Sequence, residues 1–361
     1  MAAIHTPLPT STPQPVVIVP SGQSIIDFVR TAPPGAKIIV SPGLYAAFTI
    51  AAGDVRGPLD LVADVTGAMT NGPAEPITID AAGAPNAIAL SGIPEGSAVL
   101  IDGFTLRGAV TAGLSVESSP GTTVQDCVIG HNQGDGVLLT ASGGGLVFNN
   151  RVFDNSGAGV RALGSDHTRL INNTVYGNTA VGIAIGDTNG PSPNVEVENN
   201  IVDMNSPIGI AVDPNSITGY RADYNLNTDG YAVGVPLGAH DLSTDPQFMH
   251  PTGVAPDFHL AAGSPAIGAG DPATAVNLAG LLRSGTTQES GAPDCSSADL
   301  GYHYPTDMKC ATPTRTPTAR TTSGATATPT VTNNKTPTPT PKPTPTPKPT
   351  PTLKPTRTPK P

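Results

Sequence analysis

The stretches LINNTVYGNTAVGIAI (170–185) and VEVENNIVDMNSPIGIAV (195–212) repeat one phrase, and this repeat decides the fold. A glycine followed by an aliphatic residue recurs at steps of 23, 23, 23 and 27 residues, beginning at Gly113, Gly136, Gly159, Gly182 and Gly209. Such regular repetition is typical of solenoid proteins. The single longer step predicts a four-residue loop insertion within DTNGPSPN, residues 187–194.

The repeat unit consists of short β-strand segments. Its apolar runs, such as VGIAIG (181–186) and IGIAVD (208–213), are bounded by turn residues and lack the 3.6-residue periodicity of a helix. Three short strands and their turns account for about 23 residues, and successive coils would stack about 4.8 Å apart. We therefore predict an all-β fold, a parallel β-helix in which two columns of side chains, one residue from each coil, point into the core. These are Leu114, Val137, Val160, Ile183 and Ile210, and Val116, Leu139, Ala162, Ile185 and Val212.

Polar residues recur with nearly the same period at two turns of each coil. The first column is predicted to be a structural ladder of Asp126, Asn150, Asn173, Asn200 and Asp223, and the second contains Asn155, Asn178 and Asn205. A buried amide at a sharp turn can satisfy backbone groups and bond the amide one coil away. We interpret both columns as structural rather than ligand-binding.

The two quoted stretches resemble the right-handed β-helix repeats of the pectate lyase-like superfamily, over roughly residues 20–230. The resemblance implies a right-handed single-stranded parallel β-helix. It does not imply one activity, because such scaffolds carry many functions.

The chain divides into four predicted segments. Residues 1–15 are a Pro/Thr-rich leader, and residues 16–239 are the β-helix, whose open end is covered by an amphipathic helix with Ile25, Ile26 and Val29 on one face. Residues 240–310 form a C-terminal capping segment, in which Phe248, Phe258, Leu260 and Ile267 are expected to seal the last coil. Residues 311–361 are a disordered, extended Thr/Pro/Lys spacer.

Phrases in the C-terminal segment resemble the closing phrases of bacterial cell-surface β-helix proteins of the choice-of-anchor type. They are DPQF (245–248), DFHL (257–260), GSPAIGAG (263–270) and DLGY (299–302). The resemblance implies a secreted or cell-surface protein. The first residues lack the basic and apolar regions of a signal peptide, so we expect that such a peptide has been removed.

Charge is unevenly distributed along the chain. The net charge is −10, but residues 311–361 contain eight Lys or Arg and no acidic residue, so the remainder has 10 basic against 28 acidic residues, or −18. Such a body is not expected to bind nucleic acid. No apolar stretch is long enough for a transmembrane segment.

The three cysteines do not have zinc-site spacing. Cys127 follows a predicted ladder position and is expected to be a small buried apolar residue. Cys295 and Cys310 could form a disulfide that closes a loop of about 16 residues.

The sequence offers few groups for lyase chemistry. In pectate lyase-like enzymes, carboxylates hold Ca²⁺ and a Lys or Arg acts as the base. A Ca²⁺ site needs several converging oxygens, whereas the outward carboxylates Glu117 and Asp213 would lie four coils, or about 19 Å, apart. Lysine is absent between Lys37 and Lys309, which excludes a lysine base on the solenoid. We expect no cofactor and no metal site; Ca²⁺ is left as an open alternative that no carboxylate cluster supports.

One group of residues in neighbouring coils is a candidate for catalysis or binding: Arg161, Asp166, His167 and Asp187, with Arg161, His167 and Asp187 as the catalytic candidates. An Arg with a His and carboxylates could bind an acidic sugar and abstract a proton. The competing interpretation is a set of surface and turn residues, in which Arg169 and Glu196 form an ion pair between coils. Aromatic binding candidates are Tyr176 and the cluster of Tyr220, Tyr224 and Tyr231 near the solenoid end.

Three functions remain, and the first is favoured. It is a noncatalytic surface module that binds polysaccharide or mediates adhesion, which agrees with the missing lysine and carboxylate cluster. The second is a lyase or hydrolase acting on acidic glycans with Arg161 as its base, and the third is a purely structural stalk. We expect a monomer whose partner is a polysaccharide or a glycan of the cell envelope.

Overall fold

The protein is a parallel β-helix. A computed structural model describes residues 13–253, 255–273, 285–293 and 298–306. Among these, residues 16–227 contribute 24 strands to three parallel sheets, together with one α-helix and two 3₁₀ turns. The predicted fold class is therefore confirmed. The predicted spacer at 311–361, residues 1–12 of the leader, and both Cys295 and Cys310 lie outside the described residues.

The strands of the solenoid are short because each coil must turn three times. In chain order they are β1 (Val16–Val19), β2 (Lys37–Val40), β3 (Gly43–Ala46), β4 (Phe48–Ala51), β5 (Leu59–Ala63), β6 (Ile77–Asp80), β7 (Asn86–Ser91), β8 (Val99–Asp102), β9 (Thr105–Arg107), β10 (Ala112–Glu117), β11 (Thr123–Gln125), β12 (Val128–Gly130), β13 (Asp135–Thr140), β14 (Leu146–Phe148), β15 (Arg151–Phe153), β16 (Val160–Leu163), β17 (Arg169–Ile171), β18 (Thr174–Tyr176), β19 (Ile183–Ile185), β20 (Glu196–Glu198), β21 (Ile201–Asp203), β22 (Ile210–Val212), β23 (Arg221–Asp223) and β24 (Leu226–Asn227).

Each regular coil passes through three sheets in the order I, II, III. Sheet I contains β1, β2, β5, β8, β11, β14, β17, β20 and β23; sheet II contains β3, β6, β9, β12, β15, β18, β21 and β24; sheet III contains β4, β7, β10, β13, β16, β19 and β22. The two predicted inward columns are in register in sheet III, and their side chains are buried. The register Arg169 to Glu196 resumes after a 27-residue step, so the extra residues lie in the 187–194 loop as predicted.

The N-terminal end of the solenoid is covered by α1 (Ile25–Thr31). Ile25 and Val29 are buried in the main core, and Ile26 packs against it. The helix ends before Pro33 and Pro34, which cannot continue it. The predicted capping helix is thus present and buries the predicted face.

An asparagine ladder stabilises the turn between sheets I and II. Its members are Asn150, Asn173, Asn200 and Asn225, and the Nδ2 atom of each of the first three donates to the Oδ1 atom of the next at 3.0 Å. Each Nδ2 atom also donates to backbone carbonyl groups, as that of Asn173 does to Val147 and Ile171. The ladder therefore provides hydrogen-bond partners for polar groups that would otherwise be unpaired in the buried turn.

The two ends of this ladder differ from the sequence prediction. Cys127, not Asp126, is the first member, because its backbone N–H donates to Asn150 Oδ1 and its Sγ atom lies near the carbonyl oxygen of Gln125. Asp223 lies on β23, two residues before the actual member Asn225. The prediction assigns Asp126 and Asp223 to the ladder because of their residue type. Membership of the ladder is instead determined by the register of the backbone.

Two further ladders occupy the other turns. Asn132, Asn155, Asn178 and Asn205 form one between sheets II and III, which includes the three asparagines of the second predicted column. The sequence analysis missed the other, between sheets III and I, where backbone N–H groups donate to serine Oγ atoms of the next coil at 2.8–3.0 Å. Its members are Ser119, Ser142, Ser165, Ser192 and Ser216.

The ladder between sheets II and III explains the glycine of the repeat. A Cβ atom at Gly159 would lie 2.7 Å from the carbonyl oxygen of Gly182 and 2.9 Å from Nδ2 of Asn178, and closer still to the side chain of Val175. Real Cβ atoms do not approach other heavy atoms so closely. Glycine is therefore required at this position, because the ladder between sheets II and III and the next coil both lie against the backbone there.

The C-terminal segment runs along the flank of the solenoid. We call its described residues from 244 to 306 the C-terminal arm. It contains the antiparallel pairs β25 (Phe248–His250) with β26 (Asp257–Leu260), and β27 (Gly285–Thr286) with β28 (Tyr304–Pro305). The residues expected to seal the last coil lie elsewhere: Phe258 packs with Phe153 and Tyr176, and Phe248, Leu260 and Ile267 belong to clusters on the outer face of sheet II.

The last coil is instead closed by residues that follow it directly. Tyr220 and Val235 are buried members of the main core cluster, and Tyr231 packs against that cluster. A bridge between Ile210 and Tyr231 extends sheet III by one rung. Among the described residues, no helix has the length and apolar character that a membrane crossing requires.

Candidate functional site

A cleft lies at the C-terminal end of the solenoid. The cleft has a volume of about 480 Å³ and lies on the outer side of sheet I, against β20 and β23. We call it the Arg221 cleft. Its lining residues are Glu196, Val197, Glu198, Tyr220, Arg221, Ala222, Asp223, Tyr224, Pro236, Leu237 and Asp271.

Arg221 is placed in the cleft by the register of sheet I. Its Cα partner on the neighbouring strand is Glu196, whose own partner is Arg169. Glu196 is already engaged, because its Oε2 atom accepts a hydrogen bond of 2.8 Å from Nε of Arg169. This ion pair between coils is as predicted. Burial of the Glu196 carboxyl acts to raise its pKa, but hydrogen bonds and the charges of Arg169 and of the exposed Arg221 outweigh it and lower that pKa.

Tyr224 presents its ring at the cleft in a fixed orientation. The ring stacks on that of His240, with centroids 4.3 Å apart and an interplanar angle of 9°. His240 is in turn held by Asp223, which accepts hydrogen bonds from its backbone N–H at 2.8 Å and interacts with its Nδ1 atom at 2.9 Å. Burial acts against the charge of Asp223, but these hydrogen bonds outweigh it and lower the pKa of its carboxyl group.

The other two tyrosines of the predicted cluster have different environments. Tyr220 is only 7% exposed, so its ring cannot serve as an exposed platform, and its buried hydroxyl has no hydrogen-bond partner among the described residues. Tyr231 donates its hydroxyl to Oδ2 of Asp241 at 2.6 Å and lines a second cleft of about 450 Å³ next to Leu237. Burial raises the pKa of both tyrosines. Tyr176, the remaining aromatic candidate, is buried beneath Phe258.

Arg161 is held in an ion pair. Its Nε and Nη2 atoms contact the two carboxylate oxygens of Asp135 at 2.7 and 3.2 Å. Asp135 lies one coil away at the start of β13 and also accepts a hydrogen bond from the backbone N–H of Ala158. The hydrogen bonds that Arg161 donates to Asp135 raise the pKa of Arg161 despite its partial burial, so the guanidinium group stays protonated.

The other residues of the predicted site serve local turns. Nδ1 of the exposed His167 lies 3.0 Å from Asp166 in the turn after sheet III. Asp187 accepts hydrogen bonds from the backbone N–H groups of Asn189 and Gly190, which shapes the inserted loop. The charge of Asp187 adds to the effect of Asp135 on the pKa of Arg161. No carboxylate among the described residues makes a hydrogen bond to His167 other than Asp166.

The structure gives no indication of a metal centre in the part of the chain that it describes. No group of three or more His, Cys, Asp or Glu residues could hold an ion there. The sequence analysis missed Arg221, Glu198, His240 and Asp271 as neighbours of Tyr224. The signal for Arg221 and Glu198 was the register of the repeat, but Asp271 reaches the cleft only through the fold of the C-terminal arm.

One family model matches the solenoid, and several solved structures are similar to the chain. Residues 92–241 match the family model described as "Right handed beta helix region". Similar solved structures include the pectate lyase Pel9A, with 10% identity, a TM-score of 0.48 and coverage of 80% of this chain and 96% of that chain. The periplasmic alginate epimerase AlgG has 15% identity, a TM-score of 0.35 and coverage of 55% and 46%.

A further similar structure is the A-module of the mannuronan C-5 epimerase AlgE6 from Azotobacter vinelandii, with 15% identity, a TM-score of 0.25 and coverage of 58% and 59%. This chain therefore spans about half of the length of the two epimerases. Comparison with curated protein sequences gives no match. The solenoid is a right-handed parallel β-helix, in agreement with the matched family model.

Proposed function

We propose that the protein is a noncatalytic glycan-binding module of the cell exterior and that the Arg221 cleft holds the sugar. The observation that supports this proposal is the stacked pair of Tyr224 and His240 together with the exposed guanidinium group of Arg221, which lines the same cleft as Tyr224. These groups are positioned by hydrogen bonds and by sheet register, so little ordering would be needed when a ligand binds.

The two groups offer complementary contacts to a sugar. A rigid aromatic ring provides a flat apolar surface with a low entropy cost, which suits the C–H face of a pyranose. The guanidinium group of Arg221 supplies several N–H donors for hydroxyl groups. The carboxylates that line the same cleft supply acceptors. The rigid solenoid would hold all of these groups in one arrangement.

Polysaccharide cleavage is the alternative, with Arg161, His167 and Asp187 as the groups that would carry it. A base must lose its proton, and the ion pair with Asp135 opposes this at Arg161. His167 and Asp187 are engaged in local turn contacts. These observations favour binding over catalysis. A structural stalk is the third candidate, and it would leave the arrangement of Tyr224 and Arg221 without a role.

The test is a panel of insoluble polysaccharides, scored both for retention of the protein and for release of reducing or unsaturated ends, with and without Ca²⁺. We expect retention without turnover. Retention should fall several-fold in Arg221→Ala and in Tyr224→Asn. Asparagine is chosen at position 224 because it tolerates the positive φ of 56° there. Arg107→Ala is the matched control, since Arg107 forms an exposed ion pair between coils with Asp80.

Each other result selects a different function. Turnover that disappears in Arg161→Ala would establish the enzymatic alternative and refute the noncatalytic proposal. Protein that neither binds nor cleaves any glycan of the panel would leave the structural stalk.

A further inference from the structure

Four residues at the turn between sheets I and II occupy the same position in successive coils and share a left-handed backbone conformation. They are Asp126, Asn149, Asn172 and Asn199, with φ values of 53–59°. The side chains of the three asparagines bond to the backbone of the C-terminal arm. An amide stays uncharged at any pH, whereas the charge of the Asp126 carboxyl group depends on pH. Asp126 is therefore the position at which pH can act on this row of contacts.

Asp126 is linked to the arm through the side chain of Asn149. Nδ2 of Asn149 donates to Oδ1 of Asp126 at 2.6 Å and to the backbone carbonyl oxygen of His303 at 3.0 Å. The backbone N–H of His303 completes the contact by donating to Oδ1 of Asn149 at 2.6 Å. The carboxyl group and the arm thus share one amide, so a change of charge at Asp126 reaches the arm through a hydrogen-bonded contact.

His303 brings a second titratable group to this contact. The residue is only 3% exposed. Its Nδ1 atom lies 3.0 Å from the carbonyl oxygen of Gly301, which can only accept, so Nδ1 carries a proton. An imidazole is cationic at acidic pH and neutral at alkaline pH. When the ring is cationic it attracts the carboxylate of Asp126 across the boundary between arm and solenoid.

The carboxyl group of Asp126 is shifted toward its protonated form. Burial has the largest influence and raises its pKa above the ordinary aspartate value of 3.8. The hydrogen bond from Asn149 and the charge of His303 lower that pKa, but by less. The adjacent thiol of Cys127 adds no charge, because burial raises its pKa. The contact therefore favours a protonated Asp126.

A second carboxyl group near Asp126 behaves in the same way. Burial, followed by the charge of Asp126, raises the pKa of Asp102 to about 7. Lys37 lowers the pKa of Asp102, and Asp60 raises it further. Because Asp102 and Asp126 repel each other when both are ionised, the cost of charge at this contact grows as the pH rises.

The permanent cation in this region, Arg151, is occupied by aromatic rings. Its guanidinium carbon lies 4.8 Å from the ring centroid of Tyr302 and 5.0 Å from that of Tyr304. Both tyrosines stay neutral, because burial raises the pKa of their hydroxyl groups. An arginine keeps its charge throughout the range of interest and adds no pH dependence of its own. At alkaline pH the contact therefore contains two ionised aspartates and a neutral histidine.

We infer that the C-terminal arm is a pH-dependent latch, which docks on the solenoid at acidic pH and loosens from Asn149 as the pH rises past neutrality. The inference does not depend on the proposed glycan binding. Since burial at the contact raises the pKa of Asp126 and that of Asp102, the docked arm binds more protons than the released arm. Docking therefore weakens as the pH rises from about 4 to about 7. The loss of positive charge at His303 acts in the same direction.

Hydrogen exchange of the full chain at pH 5 and pH 8 tests the latch, with each rate divided by the intrinsic rate at that pH. Protection of residues 298–306 of the arm should be several-fold lower at pH 8. This loss should exceed that of residues 169–176, which contain β17 and β18 of the solenoid. An equal loss in both segments would overturn the inference, because pH would then act on the whole protein. Unchanged protection of the arm would overturn it as well.

The variant Asp126→Asn separates charge from shape. Asparagine tolerates the positive φ of 55°, and its Oδ1 atom can still accept the hydrogen bond from Asn149. Between the two pH values, arm protection in this variant should change by no more than about twofold. Asp166→Asn is the matched control and should behave as the parent, because Asp166 also lies beside a histidine, His167, but in the turn after sheet III. Full pH dependence in Asp126→Asn would refute the latch.

Discussion

Asn149 and His303, which are 154 residues apart, exchange two hydrogen bonds that hold the C-terminal arm against the solenoid. The backbone N–H of His303 donates to Oδ1 of Asn149 at 2.6 Å, and Nδ2 of Asn149 donates to the carbonyl oxygen of His303 at 3.0 Å. Asn149 thus imitates a strand partner for the arm. Equivalent residues in the next two coils act likewise: Asn172 donates to the carbonyl oxygens of Asp299 and Gly301, and Asn199 accepts from the backbone N–H of Asp271.

These asparagines form an outer column beside the inner ladder, the name we use for the ladder between sheets I and II that contains Asn150, Asn173 and Asn200. Each precedes an inner-ladder residue, as in Asn149-Asn150 and Asn172-Asn173, and each has a positive φ of 53–59°. Asparagine tolerates this conformation better than most residues. One asparagine of each doublet therefore satisfies the turn, and the other fixes the arm on the flank.

Asn149→Gly should loosen the arm without unfolding the solenoid. Glycine keeps the positive φ and removes both hydrogen bonds, so we expect a loss of about 1–3 kcal/mol in the stability of the docked arm. Hydrogen exchange at residues 298–306 would report it as reduced protection. Asn71→Gly is the matched control, because Asn71 is exposed with a φ of 57°. Equal protection in both variants would contradict the anchoring role.

Asn173→Ala should destabilise the whole solenoid. The change leaves the carbonyl oxygens of Val147 and Ile171 and the amide group of Asn150 without their partner in a turn where Asn173 is 1% exposed. We expect the free energy of unfolding to fall by about 2–4 kcal/mol, measured by circular dichroism in denaturant. Asn215→Ala, at an exposed turn, should change it by less than about 0.5 kcal/mol. If Asn173→Ala lowers the free energy of unfolding no more than Asn215→Ala does, water must replace the hydrogen bonds of the missing side chain.

Gly159→Ala should be destabilising although alanine has the better intrinsic propensity for ordered structure. The added methyl group would collide with Val175, with the next coil at Gly182 and with the ladder at Asn178. Overpacking of this kind costs about 1–3 kcal/mol. Gly53→Ala is the comparison, because an added Cβ atom there meets nothing within 4 Å. Similar unfolding midpoints for both variants would mean that the coils move apart at little cost.

The repeat period was sufficient to predict the coils, the columns of inward-facing side chains and the inserted loop. The reason is that the number of residues in each coil determines the strand register of a β-helix. The repeat period was not sufficient for the ends of the inner ladder. Counting back 23 residues from Asn150 gives Cys127, but Asp126 matched the expected residue type better. The serine ladder was missed for the related reason that serine is common in turns.

The path of the C-terminal arm could not be predicted from residue patterns. Phe248 and Phe258 are equally suited to the end or to the flank of a solenoid, since either location offers apolar surface. The choice depends on contacts such as Asn149 with His303, which no local spacing reveals. The full lining of the Arg221 cleft could not be predicted for the same reason, because one of its residues, Asp271, belongs to the C-terminal arm.

Asp102 should make the protein less stable as the pH rises from about 4 to about 7. Burial, followed by the charge of Asp126, raises the pKa of its carboxyl group to about 7 from the ordinary aspartate value of 3.8. Lys37 and a hydrogen bond from Gln125 act in the opposite direction, and Asp60 adds to the increase. The folded protein therefore binds more protons than the unfolded chain between these two values.

The sign of the effect follows from this difference in bound protons. The stabilising contribution of protonated Asp102 is lost as the pH rises from about 4 to about 7, so the free energy of unfolding should decrease over that range. Asp102→Asn keeps the shape and removes the charge. We expect it to gain on the order of 1 kcal/mol at pH 8 and to flatten the dependence between pH 5 and pH 8, measured by denaturant unfolding at each pH. Glu75→Gln, at an exposed loop position, should leave the dependence unchanged. A variant that is no more stable than the parent at pH 8 would show that Asp102 is ionised there without cost.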